Sequence, residues 1–91
     1  MKGLGELKKA ELYTRQSIHI NPNIPMAYSN LGSILKDQGK SQEAELSYRK
    51  AIEIKPDYAD AHYNLGVILK DLGKSKEAEL STRKAIEIKT D

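Results

Sequence analysis

This chain repeats itself every 34 residues, and that period constrains its fold more than any other feature. Gly39-Lys40-Ser41 returns as Gly73-Lys74-Ser75, and sixteen of the nineteen residues from Gly39 to Asp57 recur unchanged from Gly73 to Asp91. Aligning Gly5 to Gln38 with Gly39 to Leu72 still keeps sixteen of thirty-four residues, including Asn30-Leu31-Gly32 over Asn64-Leu65-Gly66. A period of this length signals stacked supersecondary units, each too small to bury its own apolar face. Function is therefore expected on the surface that the stack creates, and not in a pocket inside one unit.

Composition narrows the classes further. A chain of 91 residues, 38% apolar and 31% charged, makes one small soluble domain with a modest core. With no cysteine, disulfide stapling and thiolate metal sites are excluded. Apolar runs reach only three residues, as at Val67 to Leu69, so no segment reads as a membrane span, and the start from Met1 to Glu6 has no hydrophobic stretch like a signal peptide. The expected compartment is the cytoplasm, with no membrane partner. Fifteen basic against thirteen acidic residues give a net charge of +2, interspersed along the chain. Without a basic cluster or interleaved stacking aromatics, no nucleic-acid partner is expected.

Within one period the apolar residues keep helical spacing twice. His62, Leu65, Gly66, Leu69 and Leu72 fall at steps of three or four on one face, and Gly73 then supplies the left-handed conformation that commonly closes a helix. Gly39 and Gly5 occupy the same slot. Ser75 is placed to cap the next helix, with Glu77 in its positive first turn and Ala78, Thr82, Ala85 and Ile86 as its buried stripe; Ser41 and Glu43 stand at the same places one repeat earlier. Asp57 to Asp60 offer a cap for the helix before, and Pro25 suits a first turn, where its missing N–H costs nothing. This reading predicts five helices, at about 6–20, 25–38, 41–54, 59–72 and 75–88.

The spacing Tyr28-x2-Leu31-Gly32-x2-Leu35, followed by Ala44-x3-Tyr48, Ala51 and Pro56, resembles a tetratricopeptide repeat (TPR). Large and small residues alternate: Gly32 and Ala44 let two helix backbones approach, and Tyr28, Leu35 and Tyr48 fill the spaces beside them. The next copy departs from this pattern, with His62 for Tyr28, Thr82 for Tyr48 and Thr90 for Pro56, so looser packing is expected there. Within the family, the Asn-Leu-Gly run and the Glu-Ala-Glu start of the second helix look most like the arrays of O-GlcNAc transferase and similar bacterial proteins. The resemblance implies an all-α helix-turn-helix solenoid of about two and a half repeats, its five antiparallel helices winding into a right-handed superhelix. Residues 1–91 then form a single array, divided into the second half of a repeat (5–24) and two full repeats (25–58 and 59–91). The chain starts and stops out of phase with the repeat, which is expected of a segment of a longer array or of a short protein associating through its ends.

If TPR stacking holds, the first helix of each unit lines a concave groove. The expected groove residues are Met26, Ser29, Asn30, Ser33, Lys36 and Asp37 in one unit and Asp60, Tyr63, Asn64, Val67, Lys70 and Asp71 in the next. Asn30 and Asn64 keep one register, and a side-chain amide offers both donor and acceptor to the backbone of an extended peptide. The family resemblance implies the same role, an asparagine ladder. Tyr63 and Val67, in place of Ser29 and Ser33, are expected to add an apolar anchor. The function so read is a protein-interaction scaffold holding an extended peptide or protein segment. The alternatives are a structural or self-assembling spacer and a targeting arm of a larger enzyme.

No nucleophile–base pair, phosphate loop or metal constellation is present in the sequence, so neither catalysis nor a cofactor is expected. His19 and His62 read as packing residues, and Tyr13 as cover for one end of the stack. Leu12, Leu46 and Leu80 recur at the period yet lie about 160° around the second helix from Ala10, Ala44 and Ala78. They are expected in a row on the outer face, as a possible self-association surface.

Overall fold

The turn glycines end their helices by the mechanism their position requires. In the computed structural model, which describes residues 3–90, the chain forms α1 (Leu4–Ile20), α2 (Pro25–Asp37), α3 (Ser41–Ile54), α4 (Ala59–Asp71) and α5 (Ser75–Thr90), with no strand among the described residues. Gly39 and Gly73 take φ of 81° and 80°, the region where a side chain would clash with its own backbone. One residue later, Lys40 N–H donates to the Leu35 carbonyl at 2.9 Å and Lys74 N–H to the Leu69 carbonyl at 2.8 Å, closing α2 and α4 with the same six-residue loop. Pro25 begins α2, as its spacing predicts.

Four local expectations are corrected. Gly5 lies inside α1, because no helix precedes it among the described residues for a left-handed turn to close. Ser41 is already helical: the cap of α3 is Lys40, whose carbonyl receives the Ala44 N–H at 3.0 Å, and no side chain caps it. The α4 cap is Tyr58, again without a side-chain bond, so Asp57 and Asp60 do not cap it. Ser75 is likewise the first residue of α5, with the Ala78 N–H donating to the Lys74 carbonyl at 2.9 Å.

The two turns between units are tied by side chains that look unlike in the sequence. Tyr28 Oη donates to the Pro22 carbonyl at 2.9 Å, and His62 Nε2 lies 2.7 Å from the Pro56 carbonyl, thirty-four residues further on in both partners. A carbonyl only accepts, so the proton sits on Nε2 of His62. His62 therefore replaces Tyr28 with its hydrogen bond intact. His19, by contrast, is exposed near the end of α1 and does not pack.

The helices pair as α2 with α3 and α4 with α5, and α4 lies against both members of the pair before it. Leu31, Leu35, Ala44 and Tyr48 meet Leu65, Ile68, Leu69 and Ala78 in one cluster that crosses this boundary. Leu35, Tyr48, Ile68 and Leu69 are its largest fully buried side chains. The core thus runs along the stack, and the helices farthest along it contribute least: α1 fully buries Leu7, and α5 buries Ala78 and Ala85. Ala78 is covered, as expected of the buried stripe, with the α4 backbone at Gly66 lying over it. Ile86, expected in the buried stripe of α5, is 59% exposed, since no described helix packs over it.

Candidate functional site

Two surfaces follow from this stacking, and they divide the first-helix residues differently from the sequence reading. At about 100° per residue, Met26, Asn30 and Asp37 fall within about 40° of one another on α2, and Asp60, Asn64 and Asp71 do the same on α4. Met26, Asn30 and Asp37 are exposed, as are Asp60 and Asp71, and Asn64 is half-buried. This is the open face of the two helices. Its one ion pair among the described residues joins Asp60 to Lys89 at 3.8 Å, with both side chains more than two-thirds exposed, so screening by water leaves it weak.

The adjoining sector of α2 is not open. Ser29 is buried, and Ser33 is half-buried with its hydroxyl 2.9 Å from Tyr48 Oη of α3. Lys36 is half-buried at the same edge. Ser29 is thus withdrawn from the open face, and Ser33 is tied to the second helix of its own unit. The same register on α4 holds Tyr63, Val67 and Lys70, which line a pocket of about 560 Å³ between α4 and α5. Periodicity alone could not separate the two sectors, because buried serines carry no hydrophobic signal.

The contrast between the two helix pairs is sharpest under their glycines. A β-carbon on Gly32 would lie 2.7 to 2.9 Å from three carbons of the Tyr48 ring, so that ring fills the space the glycine leaves. Burial pushes the Tyr48 phenol above its ordinary range; the Ser33 hydrogen bond opposes this and the Asp37 charge adds to it. Over Gly66 the corresponding residue is Thr82, whose Oγ1 would be 2.5 Å from such a β-carbon but which has no ring to reach further. Thr82, Val67, Tyr63 and Ile86 accordingly line the open pocket.

A second register links the units through charge. Gln38 Nε2 donates to Glu11 Oε1 at 2.9 Å, and Lys74 Nζ donates to Glu45 Oε1 at 3.4 Å. Glu11 and Glu45 are also held by the arginine four residues on, Arg15 at 2.8 Å and Arg49 at 2.9 Å. The Gln38 bond, then the Arg15 bond, draws the Glu11 carboxyl below its usual range. For Glu45 burial acts upward, but the Arg49 and Lys74 hydrogen bonds outweigh it and the net shift is down. Glu79 is the third member of this register, and it lines the pocket.

Leu12, Leu46 and Leu80, expected in a row on the outer face, are 56%, 68% and 64% exposed. No described helix is long and apolar enough to cross a membrane, and among the described residues no group of three or more His, Cys, Asp or Glu side chains is placed to hold a metal ion.

Comparison with known proteins agrees with this architecture. Three family models match in succession, a tetratricopeptide repeat at residues 13–46, a TPR repeat at 32–73 and a tetratricopeptide repeat at 59–91. Among solved structures, a crystal structure of MamA is 28% identical with a TM-score of 0.89, covering 93% of this chain and 50% of its own. A second, of MamA protein, is 28% identical with a TM-score of 0.85, over 93% and 46%. The chain thus spans about half the length of the MamA chains it matches. The second TPR of Spaghetti (RPAP3), bound to the HSP90 peptide SRMEEVD, shares the fold at 21% identity with a TM-score of 0.89, over 92% and 78%. No curated protein sequence gives a significant match.

Proposed function

We propose that this chain, a tetratricopeptide-repeat protein, is an interaction scaffold that holds an extended peptide along the open faces of α2 and α4. The observation that carries this reading is the pair Asn30 and Asn64, one repeat apart at the same register of two helices whose other sides are packed. Two amides at a fixed interval suit the regularly spaced N–H and C=O groups of an extended chain. The TPR of Spaghetti, alike in fold, is bound to a peptide, which supports the class of ligand but not its sequence.

The charge of the face favours a different peptide. Asp37, Asp60 and Asp71 lie beside the two asparagines, while Lys36 and Lys70 are turned toward the neighbouring sector. A ligand with Lys or Arg side chains is preferred by these carboxylates, and an acidic peptide such as SRMEEVD would meet like charge. Calorimetric titration with an extended lysine-rich peptide tests both points. Replacing Asn30 and Asn64 together by alanine should weaken binding about tenfold, since each neutral hydrogen bond contributes about 0.5–1.5 kcal/mol. The melting curve should not move, and affinity should fall with added salt. Unchanged affinity in the double variant would sink the ladder.

The exposed leucine row supports a second reading, a spacer that self-associates through its outer face. Under that reading wild type sediments as a concentration-dependent dimer and a Leu12→Glu, Leu46→Glu, Leu80→Glu variant does not. A monomer at all concentrations in both leaves the leucines as local cover for neighbouring helix stems. The likeness to O-GlcNAc transferase arrays extends the leading proposal to a targeting arm of a larger cytoplasmic enzyme; such an arm would also act by binding.

A further inference from the structure

We infer, on the footing of the peptide face proposed above, that its ligand lies across α2 and α4 as a left-handed extended helix of three residues per turn, with lysine or arginine at every third position. Equivalent positions of two helices in contact are about 10 Å apart, and α4 packs directly on α2. Asn30 to Asn64 is one such step, and Asp37 to Asp71 is another. A β-strand rises about 3.3 Å per residue and returns to one side every second residue, so its like-facing side chains recur at about 6.6 or 13 Å and miss this interval. A polyproline II helix rises about 3.1 Å per residue and returns to one side after three, at about 9 Å, which matches it. Its backbone groups are free to meet the asparagines, whereas those of an α-helical ligand are already bonded to one another.

The side chains follow from the helix ends. Asp37 and Asp71 are the last residues of α2 and α4, both exposed, and neither enters an ion pair among the described residues. The C-terminal end of a helix carries partial negative charge, so an aspartate there is disfavoured in the free protein, and here the same register carries it twice. Lys36 and Lys70 precede them but stand about 100° round the helix, and no ion pair joins either lysine to its neighbour. A cation arriving from outside relieves both positions. Each aspartate lies two turns past its asparagine, almost straight along the helix by about 10 Å. Only a charge on a long stem reaches that far from a backbone held at Asn30 and Asn64, which selects Lys or Arg. Two such side chains, one for each unit, must leave the peptide on the same side, three residues apart.

The probes are peptides of equal length and composition built from Lys, Pro and Ser, with lysine at every second, third or fourth position of the central stretch, titrated calorimetrically against the full chain. The third-position peptide should bind about fivefold tighter than either other, since a misplaced lysine forfeits an exposed ion pair. Replacing its prolines by glycine should weaken it about threefold, because the free peptide no longer holds the bound conformation. Asp37→Asn with Asp71→Asn should level the three affinities. The same variant should raise the melting temperature of the free chain by about 2–5 °C, because it removes negative charge from two helix ends. Tightest binding at another spacing, a preference that survives the double substitution, or a lower melting temperature in that variant would overturn the inference. Equal binding of all three that still falls with Asn30→Ala and Asn64→Ala would leave the peptide face standing and remove the spacing. Binding by none of them would remove both.

Discussion

Replacing Tyr48 by alanine should cost about 3–5 kcal/mol and lower the melting temperature by roughly 15–30 °C, enough to unfold much of a chain this size. Tyr48 is fully buried, and its ring is the filler that lets α2 and α3 approach at Gly32. Removing it leaves a cavity at the boundary where α4 also packs, so the damage is shared by both helix pairs. Gly32→Ala isolates the cause. In wild type the new methyl has no room, because the ring is enclosed and its hydroxyl is fixed by Ser33 at 2.9 Å, and a loss of about 1–3 kcal/mol from overpacking is expected. In the Tyr48→Ala background the same substitution should be neutral or stabilising, since the clash is gone and alanine gains about 1 kcal/mol of helix propensity over glycine. A double-mutant cycle by denaturant unfolding reads the coupling directly; additive effects would mean the ring and the glycine are not a unit.

The second large effect is a gradient of protection along the stack. Amide exchange in α3 should be slower than in α1 or α5 by roughly a hundredfold, corresponding to local opening about 2–3 kcal/mol easier at the ends. Ala44, Tyr48 and Ala51 of α3 are all fully buried, because helices lie on both sides. In α1 only Leu7 is buried, with Leu12 and Tyr13 exposed, and α5 leaves Ile86 uncovered. Interactions that depend on a single neighbour cannot outlast those shared between two. Equal protection in all five helices, measured in dilute solution, would contradict this account.

Much of the fold was legible because the repeat states each rule more than once. Gly39 and Gly73 mark the same turn, and the apolar stripe of each helix points to the same partner, so the helix bounds were readable to within two residues. The caps were not. Ser41 and Ser75 look like capping residues, yet the preceding lysines already accept the first backbone bonds, and each serine is the first residue of its helix, one place late for a cap. The division of the first helix into an open sector and a contact sector was also hidden. Ser29 and Ser33 are small and polar, and only the packed structure shows that Ser29 is buried and that the Ser33 hydroxyl is taken up by Tyr48. Tyr63 and Val67 stand at the same register on α4, where they line the pocket beside α5. The equivalence of Tyr28 and His62 was invisible for a related reason: two rings of different chemistry can each deliver one proton to the same carbonyl.

The enclosure of Tyr48 also gives the molecule a built-in optical reporter. The chain has five tyrosines and no tryptophan or phenylalanine, so its near-ultraviolet signal comes from phenol rings alone. Tyr13 and Tyr63 are exposed and Tyr28 and Tyr58 half-buried; Tyr48 alone is held on all sides in a fixed, asymmetric surrounding. Near-ultraviolet circular dichroism should therefore report chiefly on the middle of the stack, while far-ultraviolet ellipticity averages over every helix. Fraying at either end would diminish the second signal and leave the first intact, so the two bands separate loosening of the tips from loss of the centre without any label.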